Sequence, residues 1–221
     1  MHNILEIDSV TKRYGERPIL SDIYLKCERG DIIGLFGRNG TGKSTLLKIV
    51  FGTEQANSKF IQVNGKRLSS QSDAFREISY LSQDSFLPHH ITVSQVIKLT
   101  LNRRDINEFA TDSIINPFLN NQVNSLSGGE LRYLEIKLLL SLPSKFILLD
   151  EPFNGLSPIL AEVIIEMIKQ YSKSKGIILT DHDYHNVMDV ANKYYLLNDG
   201  CLKAINDKED LINWGYLNPE A

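Results

Sequence analysis

Short apolar segments alternate with segments of helical periodicity along most of the chain. The strand-like segments are residues 4–10, 23–27, 31–36, 145–150, 176–180 and 193–198. Helical patterns begin after Gly42, Ser127, Pro158 and Asp183. This alternation predicts an α/β fold built on a parallel sheet. Because several strand-like segments are almost wholly apolar, we expect both faces of that sheet to be covered.

A second pattern occurs at the start of the chain and in residues 60–68. Polar and apolar positions alternate there, as they do in strands with one solvated face. Asn64 and Gly65 form a dipeptide that is typical of a two-residue hairpin turn. We therefore expect a small antiparallel sheet beside the parallel one.

The pattern becomes helical between Gln83 and about Leu142. Apolar residues at helical spacing follow Pro88, and an Asn-rich stretch then leads into a second helical run. This segment predicts a helical lobe over about residues 84–142. We expect the lobe to be inserted into a core formed by about 1–83 and 143–221, so that residues 1–221 make a single domain. The end of the chain has the pattern of a turn, a short strand and a short helix.

Composition narrows the classes of partner. The 221 residues carry a net charge of -3, which gives no electrostatic reason to expect nucleic acid as a partner. The two cysteines, Cys27 and Cys201, lack metal-ligand spacing and fit a reducing compartment, where we expect both to be small core thiols. The apolar runs are too short to span a bilayer, so any membrane-spanning role would belong to another chain.

The segment "GRNGTGKS", residues 37–44, lies between an apolar strand and a helical pattern. It matches the phosphate-binding loop G-x-x-x-x-G-K-[ST], in which glycines let backbone amides face an anion. We expect Lys43 to reach the β and γ phosphates of a nucleotide and Ser44 to bind Mg²⁺. The predicted nucleotide-binding residues here are Gly37, Arg38, Asn39, Gly40, Thr41, Gly42, Lys43, Ser44 and Thr45. The alternative, a Gly-rich turn without a ligand, does not explain the flanking strand and helix.

The strand "FILLD" ends on two adjacent acids, Asp150 and Glu151. Near a phosphate loop, Asp150 can hold Mg²⁺ directly or through water. Glu151 can orient the water that attacks the γ-phosphate, or accept its proton. Without a phosphate loop, such a pair would equally well mark the start of a turn or helix at a strand end.

A series of motifs, in one order along nearly the whole chain, resembles those of ATP-binding cassette (ABC) proteins. They are Tyr14 in "VTKRYGERPIL", the phosphate loop, Gln83 in "YLSQDSFLP", "LSGGE" at 126–130, "FILLDEP" at 146–152 and His182 in "ILTDHD". The resemblance implies a P-loop NTPase core with ATP and Mg²⁺ as cofactors. Among family branches, the compact length and the segments around Glu151 and His182 look most like the lipopolysaccharide-export and branched-chain amino-acid types.

The resemblance implies a role for each motif. Tyr14 would stack on adenine, although it can also be an ordinary aromatic at a strand edge. Gln83 would touch Mg²⁺ and the attacking water, and His182 would bond the γ-phosphate or that water. The signature residues Ser127, Gly128 and Gly129 would close on the γ-phosphate held by a second subunit in a head-to-tail dimer. A simple helix cap is the alternative for these three residues.

The function implied is that of an ATP-hydrolysing, nucleotide-binding subunit, a homodimer when ATP is bound, on the cytoplasmic face of the cell membrane. Its partner would be a transmembrane permease subunit. Apolar side chains after Gln83, at Phe86, Leu87 and Ile91, would contact that partner if they are exposed, or would pack inside the lobe if they are not. Two alternatives stay open, a non-transport ATP-dependent clamp and a cassette with weak hydrolysis.

One position departs from the family pattern. The turn after the two acids ends in "LSP", with Ser157 where family members commonly have an Asp. That Asp is expected to reach across the dimer and couple the two sites. Serine keeps a hydrogen-bonding oxygen and can begin the helix that follows, but it carries no charge. We therefore predict weaker coupling between the sites rather than loss of activity.

Overall fold

The structure, a computed structural model, describes residues 3–218, with the backbone alone at 103–105 and 108. The strands are β1 (Ile4–Tyr14), β2 (Arg17–Glu28), β3 (Ile32–Phe36), β4 (Ser58–Val63), β5 (Lys66–Arg67), β6 (Ile78–Leu81), β7 (Phe146–Asp150), β8 (Gly176–Thr180), β9 (Lys193–Asn198) and β10 (Cys201–Ile205). The α-helices are α1 (Lys43–Phe51), α2 (Gln71–Glu77), α3 (Val93–Thr100), α4 (Arg103–Ala110), α5 (Gly128–Ser141), α6 (Pro158–Ser172), α7 (Tyr184–Val190) and α8 (Lys208–Asn213). Helical patterns were predicted after Gly42, Ser127, Pro158 and Asp183, and helices begin at or directly after each of these residues.

The main sheet has the strand order β10-β9-β3-β8-β7-β6. Its pairs from β9 to β6 are parallel, and β10 adds an antiparallel edge through a tight turn. Every residue of β3, β7 and β8 is buried, as the almost wholly apolar segments predicted. Because parallel strands end at the same edge of a sheet, the loops after β3, β6, β7 and β8 meet there.

The second sheet has the order β2-β1-β4-β5 and is antiparallel throughout. Its last hairpin turns at Asn64 and Gly65, both with positive φ, of 52° and 76°. Positive φ at both central residues is what a type I′ turn requires, and Asn and Gly tolerate it best. The predicted antiparallel sheet and its hairpin are therefore confirmed.

The main sheet separates two apolar clusters. Successive side chains of a strand point to opposite faces, so in β7 Ile147 and Leu149 join one cluster while Leu148 joins the other. The cluster around Leu148 includes α1 and the antiparallel sheet. The cluster around Ile147 includes α5, α6 and the apolar residues of α3. The helices of segment 84–142 thus share one continuous core with the sheet.

One expectation about an individual residue was wrong, and one open alternative is decided. Cys27 is buried, but Cys201 is exposed, because it starts the edge strand β10. In the loop after β6, Leu87 is 6% exposed and belongs to the core, whereas Phe86 is 46% exposed and Ile91 is partly buried. Only Phe86 of these three therefore presents a large apolar surface to a partner. Within residues 3–218, no helix has the length and apolar character needed to cross a bilayer.

Candidate functional site

The phosphate loop follows β3 and closes tightly against its surroundings. Gly37, Gly40 and Gly42 all have positive φ. A Cβ atom at Gly37 would lie 2.8 Å from the carbonyl oxygen of Leu197, and one at Gly42 would lie 2.7 Å from the Ile19 side chain. The conformation and the space both require glycine at these two positions. Helix α1 begins directly afterwards, at Lys43, so its first free amides face the same space as the loop.

Lys43 is buried at the centre of this loop. Its ammonium group donates hydrogen bonds to the carbonyl oxygens of Gly37, at 2.5 Å, and Arg38, at 3.2 Å. Burial lowers the pKa of Lys43, and the nearby carboxylates of Glu151 and Asp150 oppose that shift. An ammonium group held in this way is suited to pairing with the phosphates of a nucleotide.

Asp150 is held by three hydroxyl groups. Its Oδ1 accepts hydrogen bonds from Ser44, at 3.0 Å, and Thr180, at 2.9 Å, and its Oδ2 accepts one from Tyr80, at 3.0 Å. Burial, followed by the charge of Asp150, raises the pKa of Tyr80, so this phenol stays a donor. The sequence motifs did not indicate Tyr80 or Thr180, and only their position at adjacent strand ends reveals them.

The donor set around Asp150 suits Mg²⁺. Ser44 contributes a hydroxyl oxygen and Asp150 a carboxylate, both hard oxygen ligands. Among the described residues, no group of three or more His, Cys, Asp or Glu side chains is placed to hold a metal by itself. Mg²⁺ commonly takes one or two carboxylates from the protein and completes its shell with phosphate oxygens and water, and the pair of Ser44 and Asp150 suits that pattern.

Glu151 follows β7 with a strained backbone, at a φ of 52°. Its Oε1 accepts a hydrogen bond from the Gln83 amide at 2.8 Å and lies 2.6 Å from Nε2 of His182. Its backbone amide donates to the carbonyl oxygen of Thr180 at 2.9 Å. The structure thus brings the three predicted catalytic side chains to one point.

A cleft of about 590 Å³, called here the phosphate-loop cleft, joins these elements. It is lined by Tyr14, Ile19, Asn39, Gly40, Gly42, Lys43, Ser44, Thr45, Gln83, Glu151 and His182. Tyr14 lies at the end of β1 and is 52% exposed, with the ammonium group of Lys12 4.6 Å from its ring centre. An exposed aromatic ring at the mouth of the cleft is suited to stacking on a flat base.

The three signature residues lie elsewhere. Ser127, Gly128 and Gly129 are not among the described residues that line the phosphate-loop cleft. Ser127 caps α5, accepting a hydrogen bond from the amide of Glu130 at 3.3 Å, so the simple capping role is present. Ser127 and Gly128 are also exposed. In a single chain, these residues and the phosphate loop therefore form separate surfaces.

Asp181, directly before His182, is a further site residue that the motifs did not indicate. It is buried, and its carboxylate accepts hydrogen bonds from the backbone amides of Phe153 and Asp183, each at 3.0 Å. Burial raises the pKa of Asp181, and those amide hydrogen bonds oppose the shift. Asp181 therefore ties the loop after β7 to the loop that carries His182.

Comparison with known proteins decides the family. The model of the ABC transporter family matches residues 20–154, which include the phosphate loop, the signature and both acids. The chain belongs to this family. The cassette is 31% identical to the lipopolysaccharide export system ATP-binding protein LptB of Haemophilus influenzae, over 96% of this chain and 93% of the relative. It is 29% identical to a probable sulfate/thiosulfate import ATP-binding protein CysA of Chlorella vulgaris, over 93% and 92%.

Solved structures agree with the fold of the cassette. An ATP binding subunit of an ABC transporter matches with a TM-score of 0.84 and 23% identity, over 97% of this chain and 95% of that one. A bacterial Atm1-family ABC exporter with ATP bound matches with a TM-score of 0.84 and 20% identity, over 96% and 40%. The predicted P-loop NTPase fold is confirmed, as is the function at the level of an ABC transporter ATP-binding protein.

The segment after α8 also contacts the phosphate loop. The carbonyl oxygen of Gly215 accepts a hydrogen bond from Arg38 at 2.7 Å, and the Tyr216 ring packs 5.6 Å from that of Phe36. The segment after α8 therefore packs against the start of the phosphate loop and supports it.

Replacing Tyr216 by Ala should weaken ATP binding about three- to tenfold, because the loop loses the support that preorganises it. Isothermal titration of ATP without turnover, in the absence of divalent ions, measures the change. Trp214→Ala is the matched control, since the Trp214 ring packs against Lys203 instead. Equal ATP affinities of the Tyr216→Ala variant and the parent would contradict this supporting role of Tyr216.

Proposed function

We propose that the cassette hydrolyses ATP and drives a transporter through closure and reopening of a dimer. The observation that carries this proposal is the convergence of Gln83, Glu151 and His182 in the cleft that holds Lys43 and Ser44. The chemistry of that cleft, with bound phosphate on one side and a carboxylate on the other, suits attack of water on a γ-phosphate.

Each residue has a distinct part in this reaction. Lys43 and the amides of the phosphate loop bind the β and γ phosphates, while Ser44 and Asp150 hold Mg²⁺. When bound by these two residues, Mg²⁺ would supply positive charge against the phosphate oxygens. Glu151 accepts a proton as the water oxygen bonds to the γ-phosphorus and the bond to the bridging oxygen breaks, leaving ADP and phosphate. Gln83 and His182 orient Glu151 and the water.

The separate signature surface supports a dimer. Ser127, Gly128 and Gly129 offer a hydroxyl group and exposed amides at the start of α5, which can bind an anion. Because they lie outside the cleft of their own chain, a γ-phosphate held by a second copy is the ligand they suit. We propose a head-to-tail homodimer that closes on two ATP molecules.

A transport role requires a surface that contacts a membrane subunit and a location of the cassette at the membrane. The relatives are ATP-binding subunits of systems named for export and for import. We propose that a transmembrane permease subunit docks near the exposed Phe86 and holds the cassette at the cytoplasmic face of the membrane. The inserted helical segment 84–142, between Gln83 and the signature, would carry movement between this surface and the cleft.

Two measurements test the proposal together. Purified cassette should release phosphate from ATP only with Mg²⁺, and tagged cassette should co-purify from detergent-solubilised membranes with an integral membrane subunit. Co-purification with ribosomes or DNA instead would favour the alternative of a non-transport clamp. Absence of phosphate release from the permease-bound cassette would overturn the catalytic part.

Ser157→Asp should raise the cooperativity of ATP hydrolysis. Ser157 is exposed and caps α6, accepting a hydrogen bond from the amide of Leu160 at 3.4 Å. Asp caps helices as well as Ser does, so the fold should tolerate the change, and the new charge can reach across the dimer. The Hill coefficient for ATP should rise, with the maximal rate within about threefold of the parent, or about 0.7 kcal/mol. An unchanged rate together with an unchanged Hill coefficient would refute the coupling role.

A further inference from the structure

Arg132 is buried beneath the candidate catalytic centre, in the second turn of α5. Its guanidinium group donates to three backbone carbonyl oxygens, those of Ser82 at 2.7 Å, Asp150 at 3.1 Å and Glu151 at 3.0 Å. The carbonyl of Ser82 belongs to the loop after β6, and those of Asp150 and Glu151 belong to the end of β7 and the start of the loop that follows it. A single side chain of α5, the helix that begins at the signature residues, therefore joins both loops.

Glu135, one turn later on α5, holds Arg132 and the first loop together. Its Oε2 lies 3.4 Å from Arg132, and its Oε1 accepts a hydrogen bond from the amide of Phe86 at 3.2 Å. Glu135 is 2% exposed, so its carboxylate is shielded from water and is bonded by these partners instead. Arg132 and Glu135 thus bond the loop after β6 on both sides of Gln83, Arg132 at Ser82 and Glu135 at Phe86.

The second loop contains the strained residue. Glu151 has left-handed backbone, at a φ of 52°, which is unfavourable for a residue with a Cβ atom. Its amide bonds Thr180 and its carbonyl oxygen bonds Arg132, so the peptide groups on both sides of the strained residue are held. Removal of Arg132 would free one of these two groups.

We propose that Arg132, oriented by Glu135, is a positioning residue that sets the geometry of Glu151 and Gln83 and links it to the signature. The inference rests on the proposed function. Ser127 and Arg132 are on one helix, about 7.5 Å apart along its axis at 1.5 Å per residue. Movement of the helix start toward a second subunit therefore moves the carbonyls of Ser82 and Glu151 in the same chain.

Arg132→Lys tests this role, because Lys keeps the charge beside Glu135 but lacks the planar fork that reaches several carbonyl groups. We expect kcat for ATP to fall about tenfold or more while KM changes less than about twofold, since phosphate binding is untouched. Hydrogen exchange should quicken at the backbone amides of 83–87, 151, 153 and 154. Glu135→Gln, which keeps an acceptor for the Phe86 amide, should lower kcat by a smaller factor, and it serves as the test if Arg132→Lys is insoluble.

Lys137→Met is the matched control. Lys137 is also a buried cation of α5, but it pairs with Asp112, and among the described residues it has no hydrogen bond to the loops of the site. Removal of this cation should lower the melting temperature of the protein and leave kcat for ATP and the hydrogen exchange of residues 83–87 unchanged. The positioning role is overturned if Arg132→Lys and Glu135→Gln are soluble and both keep the parental kcat and hydrogen exchange. It is also overturned if Lys137→Met lowers kcat as much as Arg132→Lys does. If the parent hydrolyses no ATP, the proposed function is overturned and this inference falls with it. If the parent is active, a negative result with the variants overturns this inference alone.

Discussion

Glu151→Gln is expected to lower ATP turnover at least about 100-fold, because general-base catalysis of this kind contributes about 10²–10⁴ to a rate. The amide of Gln keeps the size of the carboxylate but cannot accept the proton of the attacking water. Lys43, Ser44 and the phosphate loop are unchanged, so ATP should still bind. The signature residues should still close on it, and the variant should accumulate as an ATP-bound dimer. Phosphate release measures the first effect, and gel filtration with light scattering measures the second.

The control for Glu151→Gln is Glu162→Gln, the same chemical change at an exposed position of α6. It should leave turnover and the oligomeric state at parental values. If Glu151→Gln hydrolyses ATP at the parental rate, Glu151 is not the catalytic base. If it is inactive but stays monomeric with ATP, the proposed dimer fails while the catalytic assignment stands.

Lys43→Met is expected to weaken ATP binding about 10- to 100-fold, since a hydrogen bond to a charged group contributes about 1.5–3 kcal/mol. Lys43 is 7% exposed, so Met removes a buried charge without leaving a cavity, and the nucleotide-free cassette should fold normally. Fluorescent nucleotide titration measures the affinity, and circular dichroism checks the fold.

Lys48→Met provides the comparison for Lys43→Met, because Lys48 is on the same helix but faces solvent. Its ATP affinity should equal that of the parent. Parental affinity in the Lys43→Met variant would contradict the assignment of this ammonium group to the phosphates.

Much of the site was predictable because its motifs are local. The phosphate loop depends on glycines within a few residues of each other, and Asp150 and Glu151 directly follow the strand that buries them. The order of apolar strands and helical patterns predicted the parallel sheet whose strand ends carry the loops after β3, β7 and β8. Tyr14, Gln83 and His182 came from family resemblance, and their placement in one cleft depends on three separate strand ends.

Other contacts had no local signal. Tyr80 and Thr180 reach Asp150 across 70 and 30 residues of sequence, and Arg132 reaches Ser82 across 50. Each of these residue types also occurs in ordinary strands and helices, so neither spacing nor composition distinguishes it. The exposure of Cys201 likewise follows from its place on an edge strand.

The sequence by itself determined the strand and helix order, the phosphate loop and the acids at the strand end, because backbone preference and periodicity act over a few residues. Tertiary structure alone decided which distant hydroxyl groups hold Asp150, which guanidinium group holds Glu151, and that Phe86 faces solvent while Leu87 is buried. These depend on how parallel strands and the signature helix pack together. That packing is set by the whole core rather than by any short stretch of residues.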